Sequence, residues 1–366
     1  MGPKKTIHII HSLKIGGVEN AVFSGNELIR NSLNYEILVI DKINPSITFD
    51  VNFLKKNVKL FTGNFPLDFI NIIKILIYLN KEKPEIIITS LWRSVFIGLL
   101  YRLFNKKTKW IIFKHSSKYK HFLDSVIHLI SFKLVDFVFA DSQASKDSIN
   151  LKNAKFECII VPMVIKATSS KLKPKTLNLN NTIKFIFYGR LHPVKQIDLS
   201  IRFLSYLEKR LGRKIVFDFF GPDEDNTLNK LLKICNELNF SSAHYGGCLN
   251  SEELNDKLKD YSFFIQLSKY EGQALSVVEA MQNGLVCIVT PVGEIANYTK
   301  DLSNAIHFKI KNQNIFLEEN FLKFESIIKN PALFNLISCN SIDSFSKTKD
   351  YPQEIINNLK IILNQK

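Results

Sequence analysis

Along the first 165 residues, short runs of Ile, Val, Leu and Phe alternate with longer stretches whose apolar positions recur at helical spacing. The runs predict strands at 6–11, 36–41, 85–90, 109–114, 136–141 and 157–161. The stretches between them predict helices at about 18–30, 69–80, 95–104 and 121–134. Strands that are apolar almost throughout, each followed by a helix, imply a parallel sheet covered on both faces. Residues 166–182 (KATSSKLKPKTLNLNNT) break this pattern, being polar and rich in Lys, Ser and Asn, and read as a linker. The alternation then resumes, with strands at 184–188, 215–220, 262–267 and 286–290. Helices are expected at about 197–211, 228–238, 252–259 and 274–283, with a terminal helix at 351–363. The expected organisation is a domain at 1–165, a linker at 166–182, a second domain at 183–350, and a C-terminal helix at 351–366 packing back on the first domain. The fold class is α/β, with two Rossmann-like domains facing a cleft and ligands beyond the carboxyl ends of the strands.

Composition narrows the partners. Of 366 residues, 46% are apolar and 23% charged, enough to bury sizeable cores and unlike a disordered chain. A formal charge of +15 points to a polyanion: nucleic acid, an anionic membrane face or a phosphorylated small molecule. The surplus is uneven. Residues 1–165 hold 23 Lys and Arg against 13 Asp and Glu; the rest hold 26 against 21. No apolar run reaches the roughly 18 residues that would span a bilayer, and the first residues lack the pattern of a secretory signal. The five cysteines are scattered without a Cys-x-x-Cys, as expected of reduced thiols in a cytoplasmic protein rather than a zinc ribbon or disulfide framework.

Four segments carry candidate chemistry. In 269–293 (KYEGQALSVVEAMQNGLVCIVTPVG), Glu271 and Gly272 follow a strand and Glu279 lies eight positions on. A tight turn over 272–275 leaves free backbone N–H groups at a helix N-terminus, an anion site. Glu279, two turns in, is placed to accept two hydrogen bonds from a vicinal diol such as a ribose; taken alone, each glutamate reads first as an ordinary surface or capping residue. In 187–198 (FYGRLHPVKQID), Arg190 and Lys195 offer a planar fork and a point charge for a diphosphate, or form a solvated basic turn. Gly16 and Gly17 follow the first strand and permit close backbone approach to a ligand, or simply make a turn. His115, in FKHSS, ends a strand, as a ligand-facing or a structural histidine.

Two further features are decoys. Asp223-Glu224-Asp225 has the look of a metal motif, but its place before a helix favours capping. Asp41 mimics the ribose-binding acid of a dinucleotide fold, but no Gly-x-Gly-x-x-Gly precedes it.

Together these segments resemble the retaining GT-B glycosyltransferases of glycosyltransferase family 4. The family's E-G-x-G-x-x-x-x-E-A is matched by Glu271–Ala280 except for Ala274, where a second glycine is usual. Its G-R-L-x-x-x-K is matched from Gly189 to Lys195. Ser142 and Pro162 sit at two of its turns, although Met163-Val164 replace the usual Asn-Gly. The resemblance is strongest over 183–298, and weaker but collinear over 6–165. It implies that a nucleotide-diphosphate sugar, UDP favoured over GDP, binds Gly16, Gly17, Gly189, Arg190, Lys195, Glu271, Gly272, Gln273, Ala274, Leu275 and Glu279. His115, Arg190, Lys195 and Glu271 take the catalytic roles, with no cofactor and no metal. It further implies a glycan acceptor on undecaprenyl diphosphate, in bacterial O-antigen, lipopolysaccharide or capsule synthesis, at the inner face of the cytoplasmic membrane. Lys106, Lys107, Lys109, Lys118 and Lys120, beside Trp110, Tyr119 and Phe122, are the expected membrane-facing cluster, though most apolar residues of the amphipathic stretches are expected to cover the sheet. The competing expectations are a nucleotide-sugar epimerase or phosphorylase on the same fold, and a basic nucleic-acid or membrane-binding module; no motif supports nucleic acid.

Overall fold

The computed structural model describes residues 4–11, 17–40, 58–61, 63, 68–116, 118–119, 121–149, 154–165, 173–177, 182–223, 225–311 and 314–365. Gly16, Asp41, Lys120 and Glu224 lie outside them. The chain divides into two units, one formed by Met1–Ile165 with Lys349–Lys366 and the other by Lys166–Thr348.

The first unit contains strands β1 (Lys5–Ile10), β2 (Asn34–Val39), β3 (Val58–Leu60), β4 (Ile86–Ser90), β5 (Lys109–Lys114), β6 (Phe137–Ala140) and β7 (Glu157–Ile160). They pair in the order 3-2-1-4-5-6-7, all parallel. Its helices are α1 (Gly17–Ser32), α2 (Phe69–Glu82), α3 (Trp92–Phe104), α4 (Phe122–Ser131) and the short α5 (Gln143–Asp147). Ser142 caps α5, its side chain accepting from Ser145 N, so this serine is explained by helix initiation. Ile7, Ile9, Leu38, Ile87, Trp110, Ile112 and Val138 form the sheet's share of the core.

The second unit repeats the plan with β8 (Ile183–Tyr188), β9 (Ile215–Phe220), β10 (Ala243–Tyr245), β11 (Phe263–Gln266), β12 (Val286–Val289) and β13 (Ile306–His307), parallel in the order 10-9-8-11-12-13. A hairpin of β14 (Ile310–Lys311) and β15 (Asn314–Ile315) follows. The helices are α6 (Ile197–Leu211), α7 (Thr227–Glu237), α8 (Ser251–Leu258), α9 (Leu275–Gln282), α10 (Ile295–Tyr298), α11 (Leu317–Ile328) and α12 (Pro331–Asp343). Its core is rich in phenylalanine: Phe185, Phe263, Phe324 and Phe334 make a continuous set of ring contacts. Residues 173–177 belong to this unit, with Lys175 N donating to Ser338 Oγ at 2.8 Å and Lys175 Nζ to Leu258 O at 2.7 Å.

The last helix, α13 (Tyr351–Asn364), belongs to the first unit. It packs on α1, and Pro352 fits where Gly25 has no side chain. Tyr351 is fully buried and its N–H bonds Val164 O at 2.9 Å. Met163 and Val164 are both buried, so the residues that replace Asn-Gly after Pro162 are packing residues here.

The carboxyl ends of β8 and β9 approach unusually closely. Gly189 (φ 144°) donates its N–H to Phe220 O at 3.0 Å, and a Cβ on Gly221 (φ 137°) would lie 1.9 Å from Gly189 O. Backbone at such φ values is accessible essentially to glycine alone. This approach sets the exit direction of the loop that carries Arg190. Gly221→Ala is therefore expected to lower unfolding stability by about 3 kcal/mol or more, read from the urea midpoint.

Candidate active site

At the carboxyl end of the second unit's sheet, β11 ends in Gln266 and passes through Ser268 and Glu271 into α9. Ala274 forms the N-cap of α9 in left-handed backbone, φ 57° and ψ 62°. Alanine there is strained by about 1–2 kcal/mol, which explains why glycine is usual at this position of the motif. The loop is held from behind: Glu294 N donates to Gly272 O at 3.1 Å and Tyr298 OH to Gln273 O at 3.0 Å. A Cβ on Gly293 would sit 2.1 Å from Glu271 O, so this glycine is required by close contact.

The second basic motif folds onto this loop. After β8 the chain passes exposed Arg190 and buried Leu191 into a 3-10 turn, Pro193–Lys195. Lys269 N donates to Val194 O at 2.8 Å, joining turn and loop. Lys195 Nζ then reaches Glu271 Oε1 at 2.7 Å, with the two side chains only 15% and 10% exposed. The same oxygen accepts from Ser268 Oγ at 2.5 Å and Gln266 Nε2 at 3.0 Å. Gln266 Oε1 in turn accepts from Ser276 Oγ at 2.8 Å, and Tyr188 OH donates to Ser276 O at 2.8 Å. Sequence reasoning identified Lys195 and Glu271 without their contact, and missed Gln266, Ser268, Ser276 and Tyr188. The available signal was Gln266 itself, a polar residue closing the apolar strand FFIQ.

Glu279 behaves differently. It lies partly covered on α9, and among the described residues its carboxylate has no hydrogen-bond or ion-pair partner. Desolvation pushes its pKa from 4.5 up to about 7. A desolvated carboxylate about one turn into a helix, with no partner among the described residues, is costly unless something outside the chain pairs with it.

In the first unit His115 stands just past β5, with Nε2 2.9 Å from Ser90 Oγ and its ring against Phe113. Burial, and secondarily His8 and Lys114, push its pKa well below the ordinary value, so it is neutral. His8, Ser90 and Tyr35 around it were not singled out from the sequence. Gly17 opens α1.

Two expected features are corrected or explained. Within the basic cluster, Trp110 is fully buried and donates to Thr89 Oγ1 at 3.0 Å. Lys109 is half-buried, and its Nζ is engaged by Ile362 O and Gln365 O at the end of α13. Lys106, Lys107 and Lys118 are exposed. Conversely, the amphipathic helices leave many apolar residues uncovered, where most were expected to cover the sheet. Phe69, Ile70, Ile73 and Ile77 line one stripe of α2, and Phe104 and Phe122 are each 85% exposed. Asp223 accepts from Thr227 N at 2.8 Å and Asp225 pairs with His192 Nε2 at 3.1 Å, the capping and loop roles expected of them.

Comparison with known proteins accords with this layout. Residues 169–331 match the family model described as glycosyl transferases group 1. An uncharacterized glycosyltransferase of Methanocaldococcus jannaschii is 28% identical over 312 residues, covering 76% of this chain and 78% of that protein. Among solved structures, Anabaena HepE in complex with UDP and glucose is similar with a TM-score of 0.79 at 14% identity, over 99% of this chain and 100% of that one. The sucrose-phosphate synthase of Thermosynechococcus elongatus gives 0.77 at 15% identity, over 98% of each chain. The fold is GT-B. Residues 169–331 thus place a group 1 glycosyl transferase domain on that fold, and together these matches support a glycosyltransferase.

The Glu279 carboxyl yields a test independent of catalysis. Its native pKa lies above 4.5, so the native state holds that proton more tightly than the unfolded chain does. Its contribution is fully present below pH 4.5 and is lost as pH rises through about 7. Glu279→Gln is therefore expected to melt above the wild type at pH 8, with the difference shrinking to nothing by pH 4.5 in paired thermal scans.

Proposed function

We propose that the chain is a retaining glycosyltransferase that takes a sugar from a nucleotide diphosphate, UDP before GDP, and passes it to a lipid-linked glycan acceptor in bacterial surface polysaccharide synthesis. The observation that carries the donor half is Glu279. A desolvated carboxylate without a partner among the described residues is satisfied by the two hydroxyls of a ribose, which donate to its two oxygens. Anabaena HepE, similar in fold, has been solved with UDP and glucose.

The remaining roles follow from charge. A departing diphosphate gains negative charge as the glycosidic bond breaks, and prepositioned cations and amides stabilise it. Arg190 supplies a fork. The Lys195 ammonium has three protons and commits one to Glu271, leaving two for phosphate oxygens. The amides of Ala274 and Leu275, with Gly272 and Gln273 shaping the turn and Gly189 the Arg190 loop, complete the anion site without a metal. Glu271 gathers three donors on Oε1, which makes it a poor nucleophile and a good anchor for sugar hydroxyls. Transfer with retention then proceeds on the leaving-group face, a donor phosphate oxygen taking the acceptor's proton. The resemblance assigns His115, Gly16 and Gly17 of the first unit to sugar binding as well.

The acceptor half rests on the first unit's surface. α2, α3 and α4 pack side by side and expose Phe69, Ile73, Ile77, Phe104 and Phe122 with Lys106, Lys107 and Lys118. An apolar face rimmed by lysines fits the headgroup boundary of an anionic bilayer. No described helix is long and apolar enough to cross a membrane.

Saturating UDP is expected to raise the melting temperature, a ligand at 100 times its dissociation constant contributing about 2.7 kcal/mol. Arg190→Ala and Lys195→Ala are each expected to lower turnover of the matching UDP-sugar about 10²–10³-fold; near-normal rates in both would remove the diphosphate assignment. Glutamine at 106, 107 and 118 together should weaken binding to phosphatidylglycerol vesicles about hundredfold, at roughly 1 kcal/mol per lysine, with the UDP response unchanged. Undiminished vesicle binding would sink the membrane assignment.

A further inference from the structure

His115 ends a chain of four buried or half-buried polar side chains. Tyr35 OH lies 2.6 Å from His8 Nδ1, His8 Nε2 lies 2.8 Å from Ser90 Oγ, and Ser90 Oγ lies 2.9 Å from His115 Nε2. The three residues behind His115 come from β2, β1 and β4, adjacent strands of one sheet. Tyr35, His8 and Ser90 are almost completely shielded from solvent. At the far end, His115 Nδ1 is screened from water and has no hydrogen-bond partner among the described residues.

Such a chain has a direction. Each hydroxyl owns one proton and each neutral imidazole one N–H, so four groups share three links and leave one donor over. Both imidazoles are neutral, since burial drives the pKa of His8 down to about 3 and that of His115 also far below the ordinary value. If the protons point toward Tyr35, its O–H is left without an acceptor among the described residues, beside Tyr351, whose own hydroxyl is also unpartnered among them. If they point toward His115, every link inside the unit is paired and the surplus N–H sits at His115 Nδ1. That nitrogen is at the carboxyl end of the sheet, where an oxygen of a ligand can accept it.

We propose that Tyr35, His8 and Ser90 are positioning residues that hold His115 as its neutral Nδ1–H tautomer, so that it meets the ligand as a hydrogen-bond donor to a sugar oxygen. The tautomer assignment stands on the chain alone. Only the contact with a sugar rests on the proposed transfer reaction.

Nitrogen-15 spectra of the histidine-labelled, full-length protein test the tautomer without substrate, with signals assigned from His8→Gln and His115→Ala. The expected result is a protonated Nδ1 on His115 and a protonated Nε2 on His8. Tyr35→Phe, which touches neither His115 nor Ser90, should raise the Nε2–H population of His115, because it removes the donor that sets the direction. An Nε2–H or doubly protonated His115 in the wild type overturns the proposal, as does a His115 signal indifferent to Tyr35→Phe. For the sugar contact, Ser90→Ala and His115→Ala should each lower kcat/KM at least tenfold, and the double variant should lose little more than either. Losses that multiply would show Ser90 acting apart from His115 and overturn its positioning role. A wild type that transfers no sugar counts against the proposed function, while the spectra still decide the tautomer.

Discussion

The contact between Lys195 and Glu271 is the constraint from which the rest of the second unit's site follows. The two residues lie 76 positions apart and on different loops. Pairing charges in a place this shielded repays their lost hydration only when geometry and surrounding hydrogen bonds are good. Both conditions are met by backbone and polar partners: Lys269 N holds Val194 O, while Ser268 and Gln266 finish the shell of Glu271. The glycines at 221 and 293 serve the same end by letting main chains approach where a methyl group would collide, and Gly189 does so by adopting φ 144°. Sheet, turn and loop are thus specified together.

Several groups at the carboxyl ends of the strands carry unfavourable local energy. Ala274 is held in left-handed backbone, and among the described residues Glu279 is desolvated without a counter-charge and His115 keeps an unpartnered nitrogen. Consistent packing elsewhere, such as the phenylalanine core around Phe263, supplies the margin that tolerates them. Concentration of strain at one end of otherwise regular sheets is what a ligand-binding surface requires.

Much of this was legible in the chain. The strands at 109–114 and 215–220 and the helix at 197–211 follow directly from apolar periodicity. The strands Val58–Leu60, Ala243–Tyr245 and Ile306–His307 were not legible, being edge strands of two or three residues, too short to show a period. Helices α11 and α12 were also missed; α12 spreads its apolar residues around its circumference and shows no clean stripe. Among site residues, charged and glycine motifs stood out while their neutral supports did not. His8 lies within one apolar strand and Ser90 ends another, and only the pairing of β1 with β4 brings them together. Lys109 and Trp110 read as surface because their neighbours are lysines, yet strand pleating turns Trp110 inward and α13 captures Lys109.

The return of α13 to the first unit bears on how the chain is made. The second unit is an unbroken segment lying wholly between two pieces of the first. A ribosome releases that segment complete, with its own core, before Tyr351 and Pro352 emerge to meet Val164 and Gly25. During synthesis the first unit therefore lacks the helix that packs on α1 until the whole second unit has been made, so its last piece arrives after its neighbour's chain is complete.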